Sequence, residues 1–152
     1  MEAAPTATVG AAMRISRPLL EEIVAHAQAE APNECCGMIA ARDGEAVAVH
    51  RARNAAASPL RYVMDPNEQY RIQDAIESAG LELGAIYHSH TRSAPVPSQT
   101  DINLSTLPGT SEPSFPGTLY VIVGVAGQEP DIRVWDIVDG GYSRRELEVQ
   151  EA

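Results

Sequence analysis

The run Gly84-Ala85-Ile86-Tyr87-His88-Ser89-His90, with the turn-rich stretch that follows it to Ser98-Gln99-Thr100-Asp101, constrains this chain more than any other. Leu83 to His88 is small and apolar, with Ile86 and Tyr87 of high β-propensity, and reads as a strand. Side chains alternate across a strand, so His88 and His90 project to one side and Ser89 to the other. Asp101 lies far enough along for the chain to double back and bring a carboxylate to the same place. Two imidazoles and a carboxylate, with a fourth position left to solvent, are the donor set of a catalytic zinc; four protein ligands would close the site.

Each half of the pattern has a plain alternative. His-x-His alone often marks two half-exposed histidines on a strand. Ser98-x-x-Asp101, ahead of Ile102 and Leu104, is also a helix N-cap with its reciprocal acid. The two readings of Ser98 are compatible, because a capping serine stays pointed at whatever lies at the helix N-terminus. Glu34, in Pro32-Asn33-Glu34-Cys35-Cys36-Gly37 before the apolar run Met38-Ile39-Ala40, would by itself be a solvated loop acid. Beside a catalytic metal it becomes a general base that later passes its proton to a leaving amine.

Taken together, Glu34, His88-x-His90, seven residues, Ser98, two residues and Asp101 resemble the JAMM signature of the MPN-plus zinc metalloproteases, at the spacing of that motif. The resemblance covers roughly residues 13–138. It implies an α/β, single-domain JAMM/MPN fold, a mixed β-sheet flanked by helices with a likeness to cytidine deaminases. It implies one Zn2+ per chain, held by His88, His90 and Asp101. Glu34 would be the catalytic acid–base, and the Ser98 hydroxyl would donate to the oxyanion. The reaction implied is hydrolysis of the amide bond after the C-terminal glycine of a ubiquitin-like or sulfur-carrier protein with a Gly-Gly tail. Ile86 to Thr91 and Trp135-Asp136-Ile137-Val138-Asp139-Gly140 look most similar to short bacterial members that release cysteine from a sulfur carrier in cysteine biosynthesis. The alternative is an isopeptidase that removes ubiquitin-like modifiers from lysines. An inactive MPN scaffold is disfavoured, because a scaffold has no use for all five residues. The loop 108–117 looks longer than its counterpart in the cysteine-releasing members.

Charge and cysteine usage narrow the partners. A net charge of −10, with 11 basic residues that are all arginine and form no stripe, argues against nucleic acid. Cys35 and Cys36 are adjacent and cannot form an ordinary framework disulfide, which fits a reducing compartment. The Pro-Cys-x-x-Cys of the zinc deaminases is absent, so a ligand role is disfavoured and one of the two is read as a small buried residue. Residues 1–12 lack a charged start followed by an apolar core, and the longest apolar run, Leu119 to Ala126, is too short for a bilayer. The expectation is a cytoplasmic protein with a disordered segment 1–12 and one domain over 13–150.

The remaining elements read as follows. A helix starts at a Ser16 cap with Pro18 in its first turn, turning Leu19, Leu20, Ile23, Val24 and Ala27 inward and His26 outward. Cys36–Ala41 and Ala46–Arg51 form a hairpin about Asp43-Gly44, and Arg61–Met64 a short strand. Asp65 caps a second helix, with Glu68 completing the box and Ile72, Ala75, Ile76 and Ala79 buried before Gly80. A short helix runs from Gln99 to about Leu107. Leu119–Val125 and Ile132–Val138 are strands, and Tyr142–Val149 is one edge strand. With 5% aromatic residues, the core is expected to be mainly aliphatic.

Overall fold

The first helix starts where its capping chemistry places it. In the computed structural model, which describes residues 12–151, α1 spans Arg17–Glu30 and the Ser16 hydroxyl accepts from Leu19 N. Ahead of it, Met13–Ser16 is a strand, β1, not expected from the sequence. The hairpin forms as expected from β2 (Cys36–Arg42) and β3 (Glu45–Ala52). Its two turn residues, Asp43 and Gly44, both have positive φ, which Gly adopts freely and Asp tolerates. Arg61–Met64 is not a strand: only an isolated bridge joins Asn54 to Met64, with one backbone bond from Ala55 N to the Val63 carbonyl, and the Asn54 side chain takes the Arg61 carbonyl and the Val63 amide.

Helix α2 (Pro66–Ser78) is capped by Asp65, whose carboxylate accepts from Asn67 N and Glu68 N. The expected reciprocal box is incomplete, since Glu68 accepts from Arg53 N instead. Its buried stripe is also narrower than expected: Ile72 and Ile76 are buried, whereas Ala75 and Ala79 face solvent. Strand β4 (Glu82–His90) follows, then α3 (Gln99–Leu104), shorter than expected, and β5 (Leu119–Gly124) and β6 (Asp131–Val138). The single edge strand expected over Tyr142–Val149 is two strands, β7 (Gly141–Arg145) and β8 (Leu147–Gln150).

The eight strands form one mixed sheet in the order β7-β6-β5-β4-β2-β3-β1-β8. β4 pairs antiparallel with β2 and parallel with β5, so the strand bearing both histidines sits mid-sheet. β7 and β8 lie at opposite edges, yet only Glu146 separates them. One residue spans no more than about 3.6 Å, so the sheet must curl until its two edges meet there. α1 packs on one face with Ile39, Ala85, Tyr87, Val121 and Val123. α2 covers the other with Cys36, Met38, Ile86, Tyr120, Ile122 and Trp135. The core is mainly aliphatic, as expected, and Tyr62, Tyr87, Tyr120 and Trp135 are buried within it. Among the described residues no helix is long and apolar enough to cross a membrane.

Candidate metal centre

Strand alternation puts His88 and His90 on the α2 face of β4, as expected, and both are buried. The chain then loops back, and α3 presents Asp101 from its first turn. That turn is a complete capping box: Asp101 N donates to Ser98 Oγ at 3.0 Å and Ser98 N donates to Asp101 Oδ2 at 2.9 Å. The box fixes the carboxylate with local hydrogen bonds, and because Ser98 Oγ is engaged as an acceptor, its own proton is left to donate.

The three groups converge. Asp101 Oδ2 lies 3.0 Å from His90 Nε2, Asp101 Oδ1 lies 3.2 Å from His88 Nε2, and the two Nε2 atoms are 3.3 Å apart. Two donors each bound to one tetrahedral zinc at about 2.0–2.1 Å stand about 3.3 Å from each other, so the observed spacing suits such an ion. The hydrogen bonding suits it too. His90 Nδ1 lies 2.8 Å from the Ala94 carbonyl, which can only accept, so this nitrogen carries the proton. In a neutral ring Nε2 is then a bare lone pair facing a carboxylate. Two acceptors 3.0 Å apart require a positive centre, either a proton on the ring or a cation between the groups. His88, His90 and Asp101 are the group among the described residues whose ligand atoms come together in this way.

Electrostatics follow from the same contacts. Burial pushes the Asp101 carboxyl up, but the hydrogen bonds from His88 and His90 outweigh it and hold the group well below the usual carboxylate range. Burial lowers the pKa of His88, and Asp101 only partly offsets it. Burial also opposes charging His90, but its bonds to Asp101 and Ala94 prevail and raise its pKa. His88 has no such second bond: its Nδ1 is buried without a partner. Its ring is held by stacking on Tyr62, with centroids 4.5 Å apart and planes 25° apart.

Glu34, at the head of β2, is buried at 4% exposure rather than solvated. Its Oε1 has no hydrogen-bond partner, and burial raises its pKa to about 8. The next residue is pinned to β4 at both its amide and its carbonyl, since Cys35 N donates to Ser89 Oγ at 2.8 Å and Ser89 N donates to the Cys35 carbonyl. Behind the loop 91–98, Trp135 Nε1 donates to the Pro95 carbonyl at 2.9 Å. Gly124 allows the close approach there, because a Cβ would stand 2.8 Å from Pro95 Cδ.

The other histidines and the cysteines lie outside this cluster. His50 is on β3 and stays apart. His26 is not on the outer face: it is buried at 4% exposure and shares a 2.7 Å hydrogen bond with the Tyr87 hydroxyl. Cys35 and Cys36 are free and buried, and burial pushes their thiols up to about 11 and about 12, which suits packing rather than reactivity. Sequence reasoning missed the supporting residues Tyr62, Ser89, Asn54 and Trp135, whose partners are distant in sequence.

Comparison with known proteins places this arrangement among relatives. The profile described as "Prokaryotic homologs of the JAB domain" matches residues 16–138. The chain is 33% identical over 140 residues to the CysO-cysteine peptidase of Mycobacterium bovis, covering 90% of each protein. It is 39% identical over 116 residues to the desampylase of Haloferax volcanii, covering 71% of this chain and 77% of that one. A protein of Desulfitobacterium hafniense, known from its solution structure, superposes with a TM-score of 0.78 at 27% identity, covering 92% of this chain and 94% of its own.

Proposed function

The chain belongs to the prokaryotic JAB-domain family, of the JAMM metalloprotease type, and on that premise we propose that it is a zinc-dependent hydrolase of the amide bond after the C-terminal glycine of a small ubiquitin-like or sulfur-carrier protein. The observation that carries the proposal is the convergence of His88 Nε2, His90 Nε2 and the Asp101 carboxylate, with His90 Nε2 3.0 Å and His88 Nε2 3.2 Å from its oxygens and the two nitrogens 3.3 Å apart.

His88, His90 and Asp101 would hold one zinc ion. A zinc with three protein ligands and an open position acts as a Lewis acid and makes water a nucleophile near neutral pH. Glu34, a carboxylate without a fixed hydrogen-bond partner, accepts the proton that the attacking water gives up. It then delivers that proton to the nitrogen of the leaving amine, which departs with the C–N bond electrons. A carboxyl whose pKa burial brings toward neutral is suited to both directions of transfer. The exposed Ser98 donates its free hydroxyl proton to the oxygen of the carbonyl under attack. The substrate tail, ending in Gly-Gly, would lie extended along a strand edge, where main-chain hydrogen bonds select small residues.

The named activity of the Mycobacterium bovis relative supports cysteine as the leaving group; such a release would belong to cysteine biosynthesis, and the free cysteines fit the reducing cytoplasm. The desampylase relative, at higher identity over a shorter span, supports the second reading, an isopeptidase acting on lysine-linked modifiers. The test uses two substrates of one carrier protein, the first extended by a C-terminal cysteine and the second linked through its terminal glycine to a lysine side chain. A kcat/KM at least tenfold higher on the cysteine substrate assigns the first reading, and the reverse assigns the second. Zinc-loaded protein that hydrolyses neither, or hydrolysis untouched by a chelator, would remove the proposal.

A further inference from the structure

The acid that the proposed reaction uses has no hydrogen bond to hold its carboxyl, so its reach must be fixed elsewhere. The backbone on either side of Glu34 is gripped by the loop 53–64. Glu34 N donates to the Ser58 carbonyl at 2.9 Å, and Asn54 Nδ2 donates to the Glu34 carbonyl at 3.0 Å. Asn54 uses all four of its hydrogen-bonding positions. Nδ2 also donates to the Arg61 carbonyl at 3.1 Å, while Oδ1 accepts from Ala56 N and Val63 N, each at 3.0 Å. Both Nδ2 partners are carbonyls and both Oδ1 partners are amides, so the amide orientation is unambiguous. Three of these bonds knit the loop to itself, and one leaves it, to the peptide that carries the acid.

We propose that Asn54 is a positioning residue acting through Glu34: it sets the shape of the loop 53–64 and ties that loop to the backbone of the acid. The inference rests on the reading of Glu34 given above. A carboxyl that takes up a proton and gives it back at a different atom cannot be locked by hydrogen bonds to its oxygens. Clamping the backbone instead fixes where the side chain starts and leaves its end free to move. The same loop carries Tyr62, the ring on which His88 stacks, so one element reaches both the acid and the metal cluster.

The test compares the zinc-loaded full chain with Asn54→Ala, Glu34→Gln and the double variant, in single-turnover hydrolysis of the cysteine- and lysine-linked carrier substrates. Loss of an outer support of this kind typically lowers activity about 10–100-fold. Asn54→Ala is expected to lower kcat by that factor with KM within about twofold. Zinc content should stay at one per chain, and hydrogen exchange at the Glu34 amide should accelerate while that at Cys35 does not. In the Glu34→Gln background the Asn54→Ala change should cost nothing further, because residues acting through one group are not additive. A full multiplicative loss in that background, or wild-type kcat with unchanged Glu34 exchange, overturns the role of Asn54. Should Asn54→Ala fail to fold, Asn54→Asp decides by the same readouts, since it keeps the two bonds from Ala56 and Val63 and sets an acceptor oxygen against the carbonyls of Glu34 and Arg61. Wild-type turnover by Glu34→Gln would instead sink the underlying reading of the acid, whatever Asn54 does.

Discussion

Strand β4 carries buried polar groups on both faces, and the two faces treat them differently. On the α1 side, the Tyr87 hydroxyl meets His26 Nδ1 at 2.7 Å, deep in an apolar cluster. Burial lowers the pKa of His26 and raises that of Tyr87, so both stay neutral and satisfy one another. On the α2 side, one residue along, two imidazoles and two carboxyls crowd together with Glu34 Oε1 and His88 Nδ1 left unpartnered. Unsatisfied buried polar groups are costly and rare. The first face is closed chemistry that holds the fold, and the second is chemistry left open.

The largest effect that separates the faces is expected from His88→Ala. It removes a donor from the cluster, and elemental analysis should find the zinc lost and hydrolysis abolished with the fold intact; a full complement of zinc would remove His88 from the ligand set. Glu34→Gln should keep stoichiometric zinc while turnover falls by about 10²–10⁴-fold. Ser98→Ala should lower kcat by about 10²–10³-fold if its hydroxyl serves the oxyanion. A purely capping role would instead show intact catalysis with about 1 kcal/mol of stability lost in a denaturant melt. On the other face, Tyr87→Phe leaves His26 unpaired and should cost about 1–3 kcal/mol, read from the same melts, with zinc content and kcat unchanged.

The smallest expected effect is on pH. Because the folded pKa of His26 is depressed, chiefly by burial and further by Arg51, the folded state prefers it neutral. That contribution is fully present above the unfolded value of about 6.5 and is lost as pH falls below it toward the folded pKa. Acidification from pH 7 to 5.5 should therefore lower Tm more in the wild type than in His26→Gln. Equal slopes would place the titration elsewhere.

The open face was legible in the sequence because its logic is local. Two residues of strand alternation align His88 with His90, and three residues of helix start lock Ser98 to Asp101. The closed face was not, since Tyr87 comes from a strand far along the chain. The signal for His26 was nevertheless present: it stands three residues after Ile23 and one before Ala27, within the buried stripe of α1. Asn54 opens the Ala-rich run Asn54-Ala55-Ala56-Ala57, and nothing nearby announces a bond to Glu34. The split at Glu146 was equally hidden, because no Gly, Pro, Asn or Asp marks a turn between Tyr142 and Val149, while β7 and β8 join different edges.

That split bears on how the chain is made. β8 runs parallel to β1, with Met13 opposite Leu147 and Ser16 opposite Gln150, so the first described strand leaves the ribosome long before the last described strand, with which it pairs. Until residues 147–150 emerge, Met13 and Ile15 sit on a nascent chain with a bare flank, the kind of flank that recruits other polypeptides. Holding that flank safe during synthesis falls to whatever binds newly made chains.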